Sequence, residues 1–121
     1  MKIAIIADTH DNLTTLKKAL EWFNKNNIEA IIHCGDVCAF STLKELADNF
    51  SGKIHLVFGN IDGDQYQVGE RVNNGTIKNV ALYGDLGEIE LDKKKIAFTH
   101  KPYFARALAM SGKYDLVFYG H

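Results

Sequence analysis

The sequence predicts one α/β domain, and three observations support this prediction. In the first half of the chain, short apolar segments rich in β-branched residues alternate with amphipathic segments of helical period, as in parallel sheets. In the second half, apolar segments follow one another with turns between them, as in antiparallel sheets. The 121 residues are 46% hydrophobic, which suits one core formed by residues 1–121. We therefore expect a parallel sheet with right-handed crossovers, followed by an antiparallel part.

Apolar segments predict the strands. The five clearest are residues 3–7, 28–33, 54–58, 96–99 and 116–119. Two shorter ones are residues 80–83 and 87–91, and residues 92–95 form a hairpin turn that leads into the strand at 96–99. Residues 63–75 are polar and rich in glycine and asparagine, so we predict a loop there that could contain a short helix.

Helical periodicity predicts a first helix after residue 12. Its apolar residues recur at steps of three and four: Leu13, Leu16, Leu20 and Phe23. Asp11 or Asn12 is the expected N-cap, and the pair Asn26-Asn27 ends the helix.

Two further helices have recognisable end signals. One begins at Ser41 and Thr42, which suit a capping box with Glu45, and it ends at Gly52. Its inward-facing residues are Leu43, Leu46, Ala47 and Phe50. The other covers residues 103–110, with Pro102 in its first turn and Gly112 beyond its end.

Charge and composition exclude several classes of function. The formal net charge of −1 provides no basic surface for extended nucleic acid. The apolar segments are shorter than the roughly 18 residues of a membrane span, and the first reaches Asp8 too soon for a secretory signal. We expect a cytoplasmic protein in which Cys34 and Cys38 are reduced thiols.

The predicted strands end in polar residues of one narrow kind. Asp8, Asp36, Asn60, His100 and His121 each follow an apolar segment, and His10 lies in the first loop. In open α/β sheets the carboxyl ends of strands line the ligand crevice, so we expect these side chains to converge. Gly35, Gly59 and Gly120 precede three of them, where a strand bends and its backbone approaches another group closely.

These six side chains suit metal ions. Carboxylate, amide and imidazole donors without thiolate favour divalent Mn, Fe, Ni or Zn. Six groups exceed the needs of one ion, so we predict two ions that share a carboxylate, with Asp36 as the central candidate. Such a pair lowers the pKa of bound water from about 15.7 towards about 7, and the resulting hydroxide could attack phosphorus in line.

Plainer roles remain open for the same residues. Asp8 and Asp36 could cap helices, Asn60 could form a turn, and His100 could simply terminate a strand. His121 is the last residue of the sequence, where chains fray.

Other polar residues are left outside the predicted site. His33 and His55 lie within apolar segments, so we interpret them as buried histidines or as residues that support the ligands. Cys38 could border the cavity, although a buried thiol explains it as well. Three aspartates could tune the local potential or be solvated surface residues: Asp11, Asp62 and Asp64.

The motifs resemble, over the whole chain, those of the calcineurin-like metallophosphoesterases, and particularly their small prokaryotic phosphodiesterase subgroup. They are Asp8-Thr9-His10, Gly35-Asp36, Gly59-Asn60, Thr99-His100 and Gly120-His121. The resemblance implies a four-layer fold, a two-sheet β-sandwich flanked by helices, with a dinuclear site at one edge. It implies that Asp8 and His10 bind the first ion, that Asp36 bridges, and that Asn60, His100 and His121 bind the second. Asp36 and Asn60 are the expected catalytic residues.

Two departures from the family pattern bear on these expectations. Larger families have Gly-Asn-His followed by Asp or Glu, and the histidine protonates the leaving group, whereas this sequence has Ile61 there. The family motif also continues Gly-His-x-His, whereas His121 is the last residue here, so one first-ion ligand is missing. We therefore expect a domain truncated at its C-terminus, or a homo-oligomer that covers the apolar surface beside the last strand.

The sequence thus predicts a metal-dependent phosphohydrolase, most simply a phosphodiesterase without a covalent intermediate. Manganese is the favoured metal, and a small phosphodiester or phosphomonoester is the expected substrate. Three alternatives remain: a non-catalytic scaffold or interaction protein, because a retromer-type subunit uses the same fold; an inactive fragment; or metal storage or sensing without turnover.

Overall fold

The computed structural model describes residues 1–60, 62–63 and 65–121. It contains seven strands and four helices in the described part of the chain. In order these are β1 (Ile3–Ile6), α1 (Leu13–Lys25), β2 (Ala30–His33), α2 (Phe40–Asp48), β3 (Lys53–Leu56), α3 (Gln65–Asn73), β4 (Val80–Leu82), β5 (Leu86–Leu91), β6 (Lys94–Thr99), α4 (Pro102–Met110) and β7 (Leu116–Tyr119).

The strands form two sheets, which confirms the α/β two-sheet prediction. The first sheet has the order β1-β2-β3-β4 and is parallel throughout. The second has the order β5-β6-β7, in which β5 and β6 pair as the predicted antiparallel hairpin. The prediction of an antiparallel second half is wrong for two strands: β4 joins the first sheet, and β7 pairs in parallel with β6. Helices α3 and α4 precede these strands and carry the chain back across the sheet, as parallel pairing requires.

Helix α3 occupies most of the segment predicted as a loop. Val68 is buried in its middle, and Val72, one turn later, packs against the same core. This narrow apolar face is sufficient because the crossover places the helix on the sheet, where burial outweighs its polar composition. Within the described ranges, no helix is long and apolar enough to cross a membrane.

Helix α2 is not capped by the predicted box. Its N-cap is Ala39, whose side chain cannot accept a hydrogen bond, and the helix ends at Asp48 rather than at Gly52. Asp11, in the loop before α1, caps the helix instead. Its Oδ1 accepts hydrogen bonds from the backbone N–H of Ala39 at 3.2 Å and from the hydroxyl of Thr42 at 2.6 Å. The cap of α1 is Asn12, one of the two predicted residues.

Two apolar clusters lie on opposite faces of the central strands. One contains Ile31, Ile54 and Leu56 with the buried faces of α1 and α2. The other lies between the sheets and contains Ile32, Val57 and Phe98. Strands β2 and β3 are therefore covered on both faces, as is usual for parallel strands, and the polar residues follow their carboxyl ends.

Candidate metal centre

The carboxyl ends of strands from both sheets bring the predicted donors together. Asp36, His100 and His121 each offer a ligand atom within 4.8 Å of the others, and Asp8, His10 and Asp36 form a second such group. Asp36 belongs to both groups and is 3% exposed, whereas His10 and His121 are exposed at the rim. The arrangement is thus two donor groups that share one buried carboxylate.

Asn60 joins the group around His100. Its Oδ1 lies 2.8 Å from Nε2 of His100, and Oδ2 of Asp36 lies 3.1 Å from the same nitrogen. All six side chains predicted from strand ends and the first loop are therefore gathered at one rim. The alternative in which Asp36 caps a helix does not apply, because the N-cap of α2 is Ala39.

The environment of His100 fits a bound cation. Its ring is 2% exposed, and Nδ1 donates to the carbonyl of Cys34 at 2.8 Å. Nε2 of His100 faces the oxygens of Asn60 and Asp36, so positive charge is favourable there, carried either by a proton on Nε2 or by a cation between the three atoms. A divalent ion would supply that charge, and this mixed oxygen and nitrogen set suits borderline divalent metals.

The backbone that carries the donors is strained. Asp8, His10 and Asp36 have φ angles of 53°, 49° and 61°, and Cys38 has 73°, in the left-handed region that L-residues rarely adopt. Each such residue costs about 1 kcal/mol or more. Two hydrogen bonds of 2.9 Å hold the first two loops together, from Asp8 N–H to Gly35 and from His10 N–H to Asp36. Strain that clusters in this way marks a site whose geometry the surrounding fold imposes.

The three glycines predicted to allow close approach do so. A Cβ on Gly35, where φ is 99°, would lie 2.8 Å from the His100 ring and from the backbone of Gly59. A Cβ on Gly59 would overlap the carboxylate of Asp36, and one on Gly120 would lie 2.8 Å from the Cys34 carbonyl. The loops can therefore pack around His100 and Asp36 only without these side chains.

His33 and His55 are buried histidines with hydrogen-bond partners, as predicted. Nδ1 of His33 accepts the Gly35 N–H at 3.1 Å, so Nε2 carries the proton and donates to the Thr9 hydroxyl at 2.9 Å. Burial lowers the pKa of His33 to about 4, so this ring is neutral. Nδ1 of His55 bonds the Tyr83 hydroxyl at 2.8 Å, and burial, followed by the charge of Lys53, lowers its pKa.

Asp62 is the residue whose importance the sequence did not reveal. The solvated-surface interpretation is wrong for it, because it is 8% exposed and accepts backbone hydrogen bonds from loops on both sides of the site. The only signal was its position two residues after Asn60, where the family that the sequence resembles has Asp or Glu.

The other polar residues left outside the predicted site have different roles. Asp11 is an exposed residue that caps α2, and Asp64 lies outside the described residues. Burial raises the pKa of Cys34 to about 12, as expected for an unreactive thiol.

The chain is similar in sequence and in fold to known phosphoesterases. The family described as the calcineurin-like phosphoesterase superfamily domain matches residues 1–121. Phosphodiesterase MJ0936 of Methanocaldococcus jannaschii is 38% identical over 124 residues, covering 100% of this chain and 72% of that protein. A solved archaeal phosphodiesterase superimposes with a TM-score of 0.89 at 36% identity, covering 100% of this chain and 73% of that one.

A more distant likeness concerns the fold alone. A Vps29 variant from Entamoeba histolytica superimposes with a TM-score of 0.67 at 18% identity, covering 100% of this chain and 64% of that one. The two-sheet architecture is therefore shared by proteins whose sequences differ widely.

Proposed function

The chain belongs to the calcineurin-like phosphoesterase superfamily, a family of metal-dependent enzymes, and from this premise we propose that it is a phosphodiesterase with a dinuclear metal site. The observation that carries the proposal is the pair of donor groups that share Asp36. One shared carboxylate between two compact sets of donors is what two neighbouring divalent ions require.

Each donor has an assigned role in this proposal. Asp8 and His10 would hold one ion, and Asp36 would be shared by both. Asn60, His100 and His121 would hold the second ion. When bound, the ions supply a hydroxide nucleophile at neutral pH and offset negative charge on the phosphoryl oxygens. No covalent intermediate with the protein is needed.

Hydrogen bonds orient these donors before any ion binds. The bond from His100 to the Cys34 carbonyl fixes the ring tautomer and keeps Nε2 as the donor atom. The backbone N–H of His121 donates to Oδ2 of Asp8 at 2.8 Å and ties the two donor groups to each other. Such orientation lowers the entropy lost on binding metal and substrate.

The substrate we propose is a small phosphodiester with a good leaving group. Ile61 occupies the position at which larger families have a histidine that protonates the leaving group. An aryl oxide leaves without such protonation, whereas an alkoxide needs an acid. A phosphomonoester is the second substrate class, manganese is the favoured metal, and the cytoplasm is the proposed location.

The first test uses metal-stripped protein and an activated aryl phosphodiester with added Mn²⁺ or Ni²⁺. We expect metal-dependent hydrolysis, and Asp36→Asn should lower the rate by about 100-fold because both ions lose their shared ligand. Asp48→Asn is the matched control, since Asp48 is exposed and pairs with Lys44. We expect it to keep the wild-type rate.

A second readout separates binding from turnover. An ion that binds only the folded form stabilises it by about 2.7 kcal/mol at 100 times its dissociation constant, so the unfolding temperature should rise. An Asp36→Asn rate equal to wild type would refute the shared-ligand assignment. Stabilisation by metal without hydrolysis of any diester would instead favour the scaffold or storage alternative.

A further inference from the structure

We infer that Asp62 is a positioning residue that fixes the shared carboxylate of Asp36 between the two donor groups, an inference that rests on the proposed function. Asp62 follows β3 and is 8% exposed. Its Oδ2 accepts the backbone N–H of Asp36 at 2.9 Å and that of Gly59 at 2.7 Å. Its Oδ1 accepts the backbone N–H of Cys38 at 2.6 Å. Both carboxylate oxygens are thus bonded to the loops that carry Asp36 and Asn60.

These bonds hold a conformation that the backbone does not favour. Asp36 and Cys38 have φ angles of 61° and 73°, so the loop after β2 contains two left-handed residues close together. Hydrogen bonds to an ionised carboxylate are about twice as strong as those between neutral groups. Three of them can offset the strain of this turn, and the turn determines where the Asp36 side chain points.

The bonds to Asp36 and Gly59 also set the distance between two loops. A single oxygen of Asp62 accepts from both, so the amide groups of the loops after β2 and β3 are held side by side. A Cβ on Gly59 would overlap the Asp36 carboxylate, which shows how closely these loops meet. Loss of the oxygen would let the loops separate and would move Asp36 relative to Asn60.

Asp62 therefore acts through the backbone of a ligand. Residues that support metal ligands in this way change metal affinity by about 10–100-fold when they are replaced. An ordinary structural residue would lower the free energy of unfolding but would leave the affinity of the folded protein unchanged. Metal affinity of the folded protein is thus the discriminating measurement.

The test is calorimetric titration of Mn²⁺ into metal-stripped Asp62→Asn protein that circular dichroism shows to be folded. The substitution keeps the size but places an amide NH₂ against a backbone N–H, so we expect the dissociation constant to rise by about 10–100-fold. Asp115→Asn is the matched control. Asp115 also accepts a backbone N–H, that of Lys95 at 2.8 Å, but it precedes β7 at the opposite end of the second sheet. It should bind Mn²⁺ like wild type.

A second variant, Asp62→Ser, is used for the same titration if Asp62→Asn does not fold. Asp62→Ser leaves room for water to satisfy each amide separately, so the protein can fold while the single oxygen that joins the Asp36 and Gly59 amides is lost. We expect the same loss of affinity. A dissociation constant within about twofold of wild type in the folded variant overturns the positioning role. Wild-type protein that binds no Mn²⁺ would instead overturn the proposed function, so the two failures are distinguishable.

Discussion

Side-chain size decides how closely the donors can approach one another. Gly59 lies against the Asp36 carboxylate so closely that a methyl group in its place would overlap the oxygen. A Cβ on Gly35 would likewise lie too close to the ring of His100, and one on Gly120 would lie too close to the Cys34 carbonyl. The small residues before the donors are thus required by the space around them.

Gly59→Ala should therefore disrupt the site. The added methyl must displace Asp36 or the loop, at a cost of about 1–3 kcal/mol in the free energy of unfolding, and should weaken Mn²⁺ binding. Urea denaturation of metal-free protein and Mn²⁺ titration measure the two effects.

Gly69→Ala is the control for this substitution. Gly69 lies inside α3 with open space around its Cα, so alanine should raise the free energy of unfolding by about 0.5–1 kcal/mol and leave Mn²⁺ binding unchanged. Wild-type Mn²⁺ affinity in Gly59→Ala would contradict the steric explanation.

The site residues that the sequence predicts lie at the ends of strands, whereas Asp62 acts through contacts between loops. Asp8 and Asp36 could be found because each ends an apolar segment, and the ends of parallel strands meet. Asp62 could not be found in this way, since its bonds join backbone groups of loops up to 26 residues away. Periodicity carries no information about such contacts.

At the scale of an element, α2 shows how a helix can depend on a residue outside it. Asp11 accepts the N–H of the N-cap residue Ala39 and the hydroxyl of Thr42. The predicted capping box of Ser41 and Glu45 is not used, and Ser41 is exposed. Local sequence suggested the box, but the loop after β1 supplies the acceptor from 28 residues away.

Two substitutions distinguish these caps. Asp11→Ala should lower the free energy of unfolding by about 1 kcal/mol, because it leaves the end of α2 without its acceptor. Ser41→Ala should change it by less than about 0.5 kcal/mol. Urea denaturation with a chelator present measures both, and the reverse order would restore the predicted box.

Helix α3 was obscured by composition. Residues 65–73 contain Gly69 and several polar side chains, and only Val68 is buried among them. Their helical state depends on packing against the first sheet, which local propensity does not encode. The sequence predicts β4 as a strand and allows only a short helix before it, so the parallel crossover that places β4 beside β3 is not predicted.

At the scale of the molecule, the candidate site joins the two sheets. Asp8, Asp36 and Asn60 follow strands of the first sheet, whereas His100 and His121 follow strands of the second. These donors therefore come together only when the two sheets pack against each other. The predicted homo-oligomer is not tested by these contacts and stays a prediction.

The stability of the whole molecule should depend on pH through His33. Burial lowers its pKa from 6.5 to about 4, so between these values the unfolded chain binds more protons than the folded one. The free energy of unfolding therefore rises from pH 4 to pH 6.5 and levels off above. A decrease from pH 6.5 to pH 5 should lose about 1.6 kcal/mol, because the slope reaches its full value of about 1.4 kcal/mol per pH unit only well below pH 6.5.

Comparison with His33→Gln isolates this contribution. Glutamine does not titrate, so the variant's free energy of unfolding should decrease less over the same interval, as measured by urea denaturation of metal-free protein. Equal slopes in the two proteins would show that His33 is not the responsible group.

The bond from His121 to Asp8 joins residues that are 113 positions apart. Asp8 follows a strand of the first sheet and His121 a strand of the second, so this bond can form only once the two sheets have docked. Contacts of such long range close late in folding, and neither sheet alone can orient the Asp8 carboxylate in this way.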